Sequence, residues 1–291
     1  WYFSGWKPNF EFNKKIALEM FHFGKFVLGG SLVWFLYSNL DNLLVGKLLG
    51  ITMLGFYGIA RNTSNLLNDY LFNKTGLIMY PAYSKIQESQ DVIRNVMLKT
   101  FSYVSTIALP FHLVILIFAP DILLLVFGEK WLPATDILRV LAIVGIFRAL
   151  NSVIWPALLA RGKAKADFQV NLFQLITFSI FVIPLTSYFK LVGVGIAVLL
   201  ATIISFGIGL FRIKKAISVS YTSIFNSIRP ALTGSLLMVF IILLTKNTFH
   251  RDSNGFVSSF YIILSFIIFF LLNYSTNYRY LIEIKNYLKN K

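Results

Sequence analysis

Polar side chains recur at helical spacing inside a long apolar part of this sequence. Arg61, Asn65, Asp69 and Asn73 are four residues apart, so in an α-helix they form one stripe. Four more polar residues flank the stripe: Asn62, Ser64, Asn68 and Thr75. A guanidinium binds phosphate or carboxylate oxygens through a fork of donors, and side-chain amides bind hydroxyl groups. The pattern therefore suggests a hydrated cavity in which Arg61 faces an anionic solute.

Two other interpretations of Arg61 stay open. Neighbouring helices could satisfy the stripe, with Arg61 paired to Asp69 or to Asp41. Asp41 lies near the end of the preceding apolar stretch, and the short turn at Gly50 places it at a depth comparable with that of Arg61. An ion pair between Asp41 and Arg61 is then either a structural contact or a gate that opens when an anion competes for the arginine.

Further candidates for binding a polar solute lie in two later apolar stretches. Arg148 and Asn151 are expected on one helix face together with Ser152 and Trp155. Gln174 follows on the next stretch. Charged and amide side chains inside a membrane span are costly unless they face a cavity or a partner, so they mark candidate substrate contacts.

These residues lie in a chain with eight apolar stretches. Each stretch is long enough to cross a hydrocarbon layer about 30 Å thick. They run near Met20–Val45, Met53–Tyr80, Val96–Phe118, Ile137–Ala160, Val170–Phe189, Val192–Leu210, Ile228–Leu244 and Phe256–Leu272. The sequence therefore predicts an all-α integral membrane protein with eight transmembrane helices.

Composition and charge agree with that prediction. Hydrophobic residues make up 57% of the 291 residues and charged residues 13%, and the net charge is +15. The basic residues flank the apolar stretches, so membrane topology explains them better than nucleic-acid binding does. Alternate segments hold 17 Lys and Arg, whereas the other connections hold 5. The positive-inside rule then predicts a multi-pass protein of the cell (inner) membrane with both ends in the cytoplasm.

Residues for bond-making chemistry are scarce. The chain has no cysteine, which excludes a disulfide framework, a thiolate nucleophile and a cysteine-based metal site. Its three histidines, His22, His112 and His250, lack the spacing of metal ligands. We therefore expect no metal, no cofactor and no enzymatic activity.

Several phrases in the first 170 residues resemble a known family. They are FGKFVLGGSLVWFLYSNLDNLLVGKLLGITMLGFYGIARNTSNLL (Phe23–Leu67), YPAYSKIQ (Tyr80–Gln87), FGEKWLPATDILRVLAI (Phe127–Ile143) and LLARGKAKADF (Leu158–Phe168). In this order they resemble polysaccharide-transporter flippases, the O-antigen and lipid-linked oligosaccharide exporters. That family is part of the multidrug/oligosaccharidyl-lipid/polysaccharide exporter superfamily.

The resemblance implies a place in a larger fold. Family members have about fourteen spans, in two six-helix lobes plus two further helices. Residues 1–217 would be the second lobe with a short cytoplasmic lead-in. Residues 218–291 would be the two additional helices with a basic cytoplasmic tail. The chain is thus expected to be the C-terminal part of a fourteen-helix exporter.

The resemblance also implies a function. Such proteins flip oligosaccharides carried on a polyprenyl diphosphate, by alternating access, for the biosynthesis of lipopolysaccharide O-antigen and other surface polysaccharides. The expected partners are the lipid-linked oligosaccharide, membrane lipids, and the glycosyltransferases and polymerase of the same pathway.

Two other functions stay open. A multidrug exporter of the same superfamily would present deep carboxylates for cationic drugs, and only Asp41 and Asp69 lie near that depth. A membrane-embedded polysaccharide polymerase or glycosyltransferase would need acid, base or metal groups. Its candidates here are Asp121, Glu129 and Asp136, which have the pattern of ordinary interface charges.

The charge asymmetry generates a topology prediction. In a protein that includes the preceding lobe, a reporter fused after Lys130 should lie outside the cell and one fused after Lys215 inside, because the basic segments stay cytoplasmic. Paired alkaline phosphatase and fluorescent protein fusions measure both positions. An outside signal at Lys215 would contradict the predicted topology.

Overall fold

The computed structural model describes residues 12–249 and, beyond them, residues 263, 264, 266, 267 and 269. Every regular element in this part is a helix, which confirms the predicted all-α class for the described residues. The order is α1 (Lys14–Leu49), α2 (Ile51–Leu67), a π-helical segment (Asn68–Phe72), α3 (Asn73–Lys85), α4 (Gln90–Phe127), a 3-10 segment (Glu129–Ala134), α5 (Thr135–Ala160), α6 (Ala164–Ile217) and α7 (Tyr221–Phe249).

Five helical stretches in the described part of the chain are long and apolar enough to cross a membrane. They are Lys14–Leu49, Gln90–Phe127, Glu129–Ala160, Ala164–Ile217 and Tyr221–Leu244. The chain is thus a membrane protein with several apolar helices. The count of eight spans stays a prediction: the polar second stretch lies in α2–α3, two stretches lie within α6, and Phe256–Leu272 falls mostly outside the described residues.

α6 contains a break between two of the predicted spans. Lys190 has φ 49° and ψ −127°, so helical geometry is interrupted there. Helical residues 164–189 precede it and 191–217 follow it. Close packing beside the break requires a glycine, because a Cβ placed on Gly193 would lie 2.0 Å from the carbonyl oxygen of Leu185. The turn between the two spans is therefore made without a loop.

The helices pack around α5. α5 contacts α2, α3, α4 and α6, whereas α1 packs against α6 and α2, and α7 packs against α4. Within the most apolar 18 residues of each stretch, 61% are buried in Glu129–Ala160, which contains α5, and only 6% are buried in α1. α1 is therefore peripheral, and its exposed Leu28, Leu32 and Phe35 are available to lipid or to another part of the protein.

α2 and α3 form one helix that the π-helical segment interrupts. The N–H of Asn73 donates to the carbonyl oxygen of Asn68, five residues earlier, and the flanking residues keep helical backbone angles. In a regular α-helix, residues four apart drift around the axis by about 40° per step. The extra residue of the π turn offsets part of this drift. The buried face can therefore keep a spacing of four through Ala60, Ser64, Asn68, Phe72 and Gly76.

A buried polar contact joins this face to α4 and α5. His112 Nδ1 lies 2.8 Å from the carbonyl oxygen of Ala108, and its Nε2 lies 3.2 Å from that of Ser64. The Asn68 amide nitrogen lies 3.4 Å from both His112 Nε2 and the carbonyl oxygen of Gly145. Gly145 permits this approach, because a Cβ there would lie 2.1 Å from His112 Nε2.

We expect Gly145→Ala to destabilise the protein by about 1–3 kcal/mol or more, because the added methyl group must displace a buried imidazole. Gly207→Ala is the matched control, since a Cβ on Gly207 meets nothing within 4 Å and alanine favours a helix by about 1 kcal/mol. Thermal unfolding of the purified proteins compares the two. Equal transition temperatures would show that His112 moves aside at little cost.

Candidate functional site

Asp41 is the buried carboxylate at the junction of α1 and α2. Gly50 joins the two helices with φ 88°, a conformation that glycine adopts without strain, and makes them adjacent. Asp41 Oδ2 accepts a hydrogen bond of 2.7 Å from the hydroxyl of Tyr57. Its Oδ1 accepts one of 2.7 Å from the backbone N–H of Asn42. The carboxylate is therefore fixed by donors from both helices.

Arg61 lies one turn after Tyr57 on α2 and completes this group. Its Nε is 3.4 Å from Asp41 Oδ2, and its Nη2 donates a 2.7 Å hydrogen bond to the carbonyl oxygen of Ser38. Within the described residues, Nε has no hydrogen-bond partner, so the contact with Asp41 is an ion pair without a hydrogen bond. Of the two partners considered from the sequence, the structure pairs Arg61 with Asp41 and not with Asp69.

Arg148 on α5 reaches the same face of α2. Its Nη1 donates a 2.8 Å hydrogen bond to the side-chain oxygen of Asn65. Asn65 is one helical turn from Arg61, about 6 Å along the axis. The structure therefore brings four of the predicted residues together at two adjacent turns of α2: Arg61 and Asn65 of α2, Asp41 of α1 and Arg148 of α5.

The other predicted residues do not join this group in the described part of the chain. Asp69 is exposed and accepts a 3.3 Å hydrogen bond from Asn73. Gln174 is half-buried, and no described side chain bonds to it. Asn151 faces α6, where its Oδ1 would lie 3.7 Å from a Cβ on Gly209.

The predicted common face of α5 is therefore divided. Trp155 packs against α3, so closely that a Cβ on Gly76 would lie 2.5 Å from its ring, while Asn151 faces α6. Ser152 is buried, and its hydroxyl donates a 2.7 Å hydrogen bond to the carbonyl oxygen of Ala149 on the same helix. The division follows from the central position of α5, which packs against helices on several sides. Trp155 thus has a packing role on α3.

The flanking residues of the stripe also separate. Ser64 and Asn68 are buried against α4 and α5, whereas Asn62 is exposed. Thr75 is half-buried, and its hydroxyl donates a 3.0 Å hydrogen bond to the carbonyl oxygen of Leu71. The polar residues of α2 therefore serve at least two neighbours rather than one continuous cavity wall.

Sequence reasoning missed two residues of this region. Tyr57 precedes Arg61 by four residues, so helical spacing placed it on the same face and its hydroxyl could have been recognised. His112 lies on α4, a different helix, and nothing in its sequence neighbourhood indicates the contacts with Ser64 and Asn68.

The electrostatic character of the group follows from its members. Two guanidiniums, Arg61 and Arg148, accompany one carboxylate, Asp41, so the group carries a net positive charge. The Arg61 side chain is 20% exposed, against 4% for Asp41, so Arg61 is the more accessible member of the pair. Among the residues that the structure describes, no set of three His, Asp or Glu side chains could hold a metal ion. The arrangement is suited to binding an anion.

We expect Asp41→Asn to destabilise the protein by about 1–3 kcal/mol, because Arg61 loses its counter-ion and Tyr57 loses a charged acceptor. Exchanging the charges as Asp41→Arg with Arg61→Asp should restore part of the loss. Asp69→Asn is the matched control on an exposed position of the same polar stripe and should change stability by less than about 0.5 kcal/mol. Normal abundance of Asp41→Asn with lost transport would show that the ion pair acts in transport and contributes little to stability.

Comparison with known proteins agrees with this picture. Residues 1–136 match the family described as polysaccharide biosynthesis protein. The teichuronic acid biosynthesis protein TuaB of Bacillus subtilis is 27% identical over 250 residues, which are 86% of this chain and 52% of that protein. The lipopolysaccharide biosynthesis protein WzxC of Escherichia coli is 27% identical over 74% of this chain and 44% of its own length. The chain thus spans about half the length of these relatives.

A solved structure shares the fold. The lipid II flippase MurJ, in an inward closed conformation, matches with a TM-score of 0.71 at 18% identity, over 87% of this chain and 53% of MurJ. A third relative, from Haloferax volcanii, is named a probable low-salt glycan biosynthesis flippase, Agl15, and is 23% identical over 77% of this chain and 45% of its own length. The predicted resemblance to polysaccharide-transporter flippases is therefore confirmed, and the chain is a relative of the polysaccharide biosynthesis proteins of cell membranes.

Proposed function

We propose that this chain forms part of a flippase that moves oligosaccharides linked to a polyprenyl diphosphate across the cytoplasmic membrane for surface polysaccharide biosynthesis. The observation that carries the proposal is the net positive group that meets at two adjacent turns of α2, in which Arg61 of α2 and Arg148 of α5 accompany the single carboxylate Asp41 of α1. A cation held inside a membrane helix bundle is costly unless an anion or water is close.

The physical problem of flipping accounts for such a group. An oligosaccharide diphosphate cannot cross hydrocarbon unaided, because its hydroxyl groups and charges would lose their water. A polar cavity replaces that water with amides and hydroxyls, and arginine binds phosphate through two parallel hydrogen bonds. The polyprenyl chain can stay in lipid throughout. No covalent bond changes, so the process needs no catalytic group.

Arg61 is the residue to which we assign the diphosphate. Its Nε already lacks a hydrogen bond among the described residues, and its ion pair with Asp41 is long at 3.4 Å. A phosphate oxygen that approaches the exposed edge of the guanidinium competes with Asp41 for it. The Asp41–Arg61 pair then acts as a gate, because releasing Arg61 weakens one link between α1 and α2.

The remaining predicted residues have supporting roles in this proposal. Arg148 is held by Asn65 and supplies a second positive charge beside the diphosphate. Asp69, Asn151 and Gln174 are placed along the path of the sugar, where amide and carboxylate groups bond to hydroxyls. They do not join the Arg61 group in the described part of the chain and need not contact the substrate together.

The proposed architecture is the second lobe of a two-lobe exporter. Residues 1–217 make up that lobe, and residues 218–291 add two further transmembrane helices and a basic tail, which gives eight spans. α6 ends at this proposed boundary, where Ser218 adopts a left-handed backbone conformation with φ 53°. Both ends of the chain lie in the cytoplasm of a cell with this protein in its inner membrane. Alternating access rocks one lobe against the other.

Energy and partners follow from the same proposal. A membrane potential that is negative inside favours outward movement of an anion by about 2.3 kcal/mol per charge per 100 mV. The substrate comes from membrane glycosyltransferases and its product goes to a polymerase, so these enzymes are the expected pathway partners.

The two alternative functions have less support. A multidrug exporter would offer a carboxylate to a cationic drug. Asp41, however, already accepts a hydrogen bond from the Tyr57 hydroxyl and forms an ion pair with Arg61. A polymerase or glycosyltransferase would need a reactive carboxylate, yet Asp136 is exposed and paired with Arg139 at 3.3 Å on the helix surface. One relative is named a probable flippase and another a putative O-antigen transporter.

The experiment that tests the proposal is substitution of Arg61 in the protein with its preceding lobe. Arg61→Ala should reduce surface polysaccharide at least about tenfold, because a charged hydrogen bond is worth about 1.5–3 kcal/mol. Arg61→Lys should keep partial export, since lysine retains the charge and loses the two-pronged geometry. Arg148→Ala should act in the same direction with a smaller effect.

Controls separate transport from folding. Arg139→Ala removes an exposed arginine and should leave both export and membrane abundance unchanged. Asp41→Asn combined with Arg61→Ala removes both charges, so it should restore abundance relative to Arg61→Ala without restoring export. Full export by Arg61→Ala at native abundance would remove Arg61 from the substrate site.

A further inference from the structure

A second cationic site lies far from Arg61. A cavity of about 600 Å³ opens between the N-terminal half of α1, the α5–α6 connection and the last part of α6. Phe26, the lining residue of α1 nearest to Asp41, is still 15 residues or about 22 Å away along that helix. The cavity shares no residue with the Arg61 group, so it is a distinct feature of the protein.

The charge of the lining is predominantly positive. Lys163, Lys165 and Arg212 line the cavity, and Glu19 is the single carboxylate among the lining residues. None of the three cations forms an ion pair with another residue in the described part of the chain. The cavity therefore attracts an anion that the described residues do not supply.

Arg212 gives the strongest indication of a missing partner. It is half-buried, and its Nε is fully buried without a hydrogen-bond partner among the residues described. A buried donor left unpaired costs about 1–3 kcal/mol. Arg212 also lines the adjacent cavity, so an anion bound there would be its counter-ion.

The rest of the lining is also suited to a phosphate. α6 begins at Ala164, and no side chain caps its first turn, so its backbone N–H groups and helix dipole favour an anion there. Lys165 Nζ lies 5.9 Å from the centre of the Phe26 ring, which Phe168 contacts from another side at 5.8 Å. The aromatic contact positions a lysine at the mouth of the cavity without neutralising it.

The surroundings indicate a lipid rather than a soluble anion. Phe23 and Phe26 are themselves part of the cavity lining. Ile16 and Met20, which precede Phe23 by seven and three residues on that side of α1, expose 53% and 69% of their surface and make an apolar strip beside the cationic cavity. We propose that this cavity binds the phosphate of an anionic phospholipid, with the acyl chains lying along α1. Basic pockets between membrane helices bind the headgroups of such lipids by the same combination of charge and apolar contact.

Lipid binding to the purified protein, with its preceding lobe, tests the proposal. Native mass spectrometry compares adducts of phosphatidylglycerol and phosphatidylcholine with equal acyl chains. We expect the wild type to favour phosphatidylglycerol about tenfold, and Lys163→Gln combined with Lys165→Gln to abolish most of that preference, since each basic residue near the surface contributes to anionic-lipid attraction. Both lysines are exposed, so their loss should leave the fold intact.

A matched control removes the same charge elsewhere on α6. Lys214→Gln with Lys215→Gln neutralises two exposed lysines that lie over the rings of Tyr221 and Phe211, outside the cavity. This control should keep the preference for phosphatidylglycerol. Arg212→Lys should also keep it, whereas Arg212→Gln should lose it. An equal loss in both lysine pairs would overturn the site in favour of general surface charge.

Inorganic phosphate distinguishes the two sources of the anion. It should compete weakly with phosphatidylglycerol and should not by itself raise the thermal stability of the protein. A phosphate-dependent stabilisation that disappears in Lys163→Gln with Lys165→Gln, together with no preference between the two lipids, would overturn the lipid assignment and leave a site for a free anion.

Discussion

The need to satisfy every polar group inside a helix bundle governs the middle of this protein. Hydrocarbon offers no water, so a polar side chain on a membrane helix must face a partner helix or a cavity. α2 and its π-helical continuation carry most of the polar side chains and distribute them among three neighbours. Ser64 and Asn68 meet α4 and α5, Arg61 meets α1, and Asn65 meets α5. The positions of these helices around α2 are tied to those contacts.

This distribution separates structural polar groups from functional ones. The contact between His112, Asn68 and Gly145 is buried, and the partners of the imidazole are a side-chain amide and backbone carbonyl oxygens, so it serves packing. The Arg61 group is partly exposed and contains more positive than negative charge. One helix thus holds the bundle together on one side and presents cations on the other, which limits how far either face can change independently.

Much of the fold was predictable because hydrophobic length and helical periodicity are local properties. The helical class and the proximity of Asp41 to Arg61 follow from spacing and from the short turn at Gly50. The link between Asn65 and Arg148 joins residues 83 positions apart, and the direction of Asn151 depends on which helix packs beside α5. Spacing cannot specify such contacts. The predicted stripe also assumed that residues four apart stay on one face of the helix. In a regular α-helix they rotate around the axis, and the π turn at Asn68 offsets part of that rotation.

The π-helical segment has a mechanical consequence. Its extra residue is accommodated by one widened turn, so the helix continues on both sides with its backbone hydrogen bonds kept. In a regular α-helix, one residue more would instead turn everything beyond it by roughly 100° around the axis. Arg61 precedes the segment and Gly76, with the Trp155 ring against it, follows it. The segment thus takes up one residue between two anchored ends, so that the Arg61 end keeps its contact with α1 while the Gly76 end keeps its contact with α5.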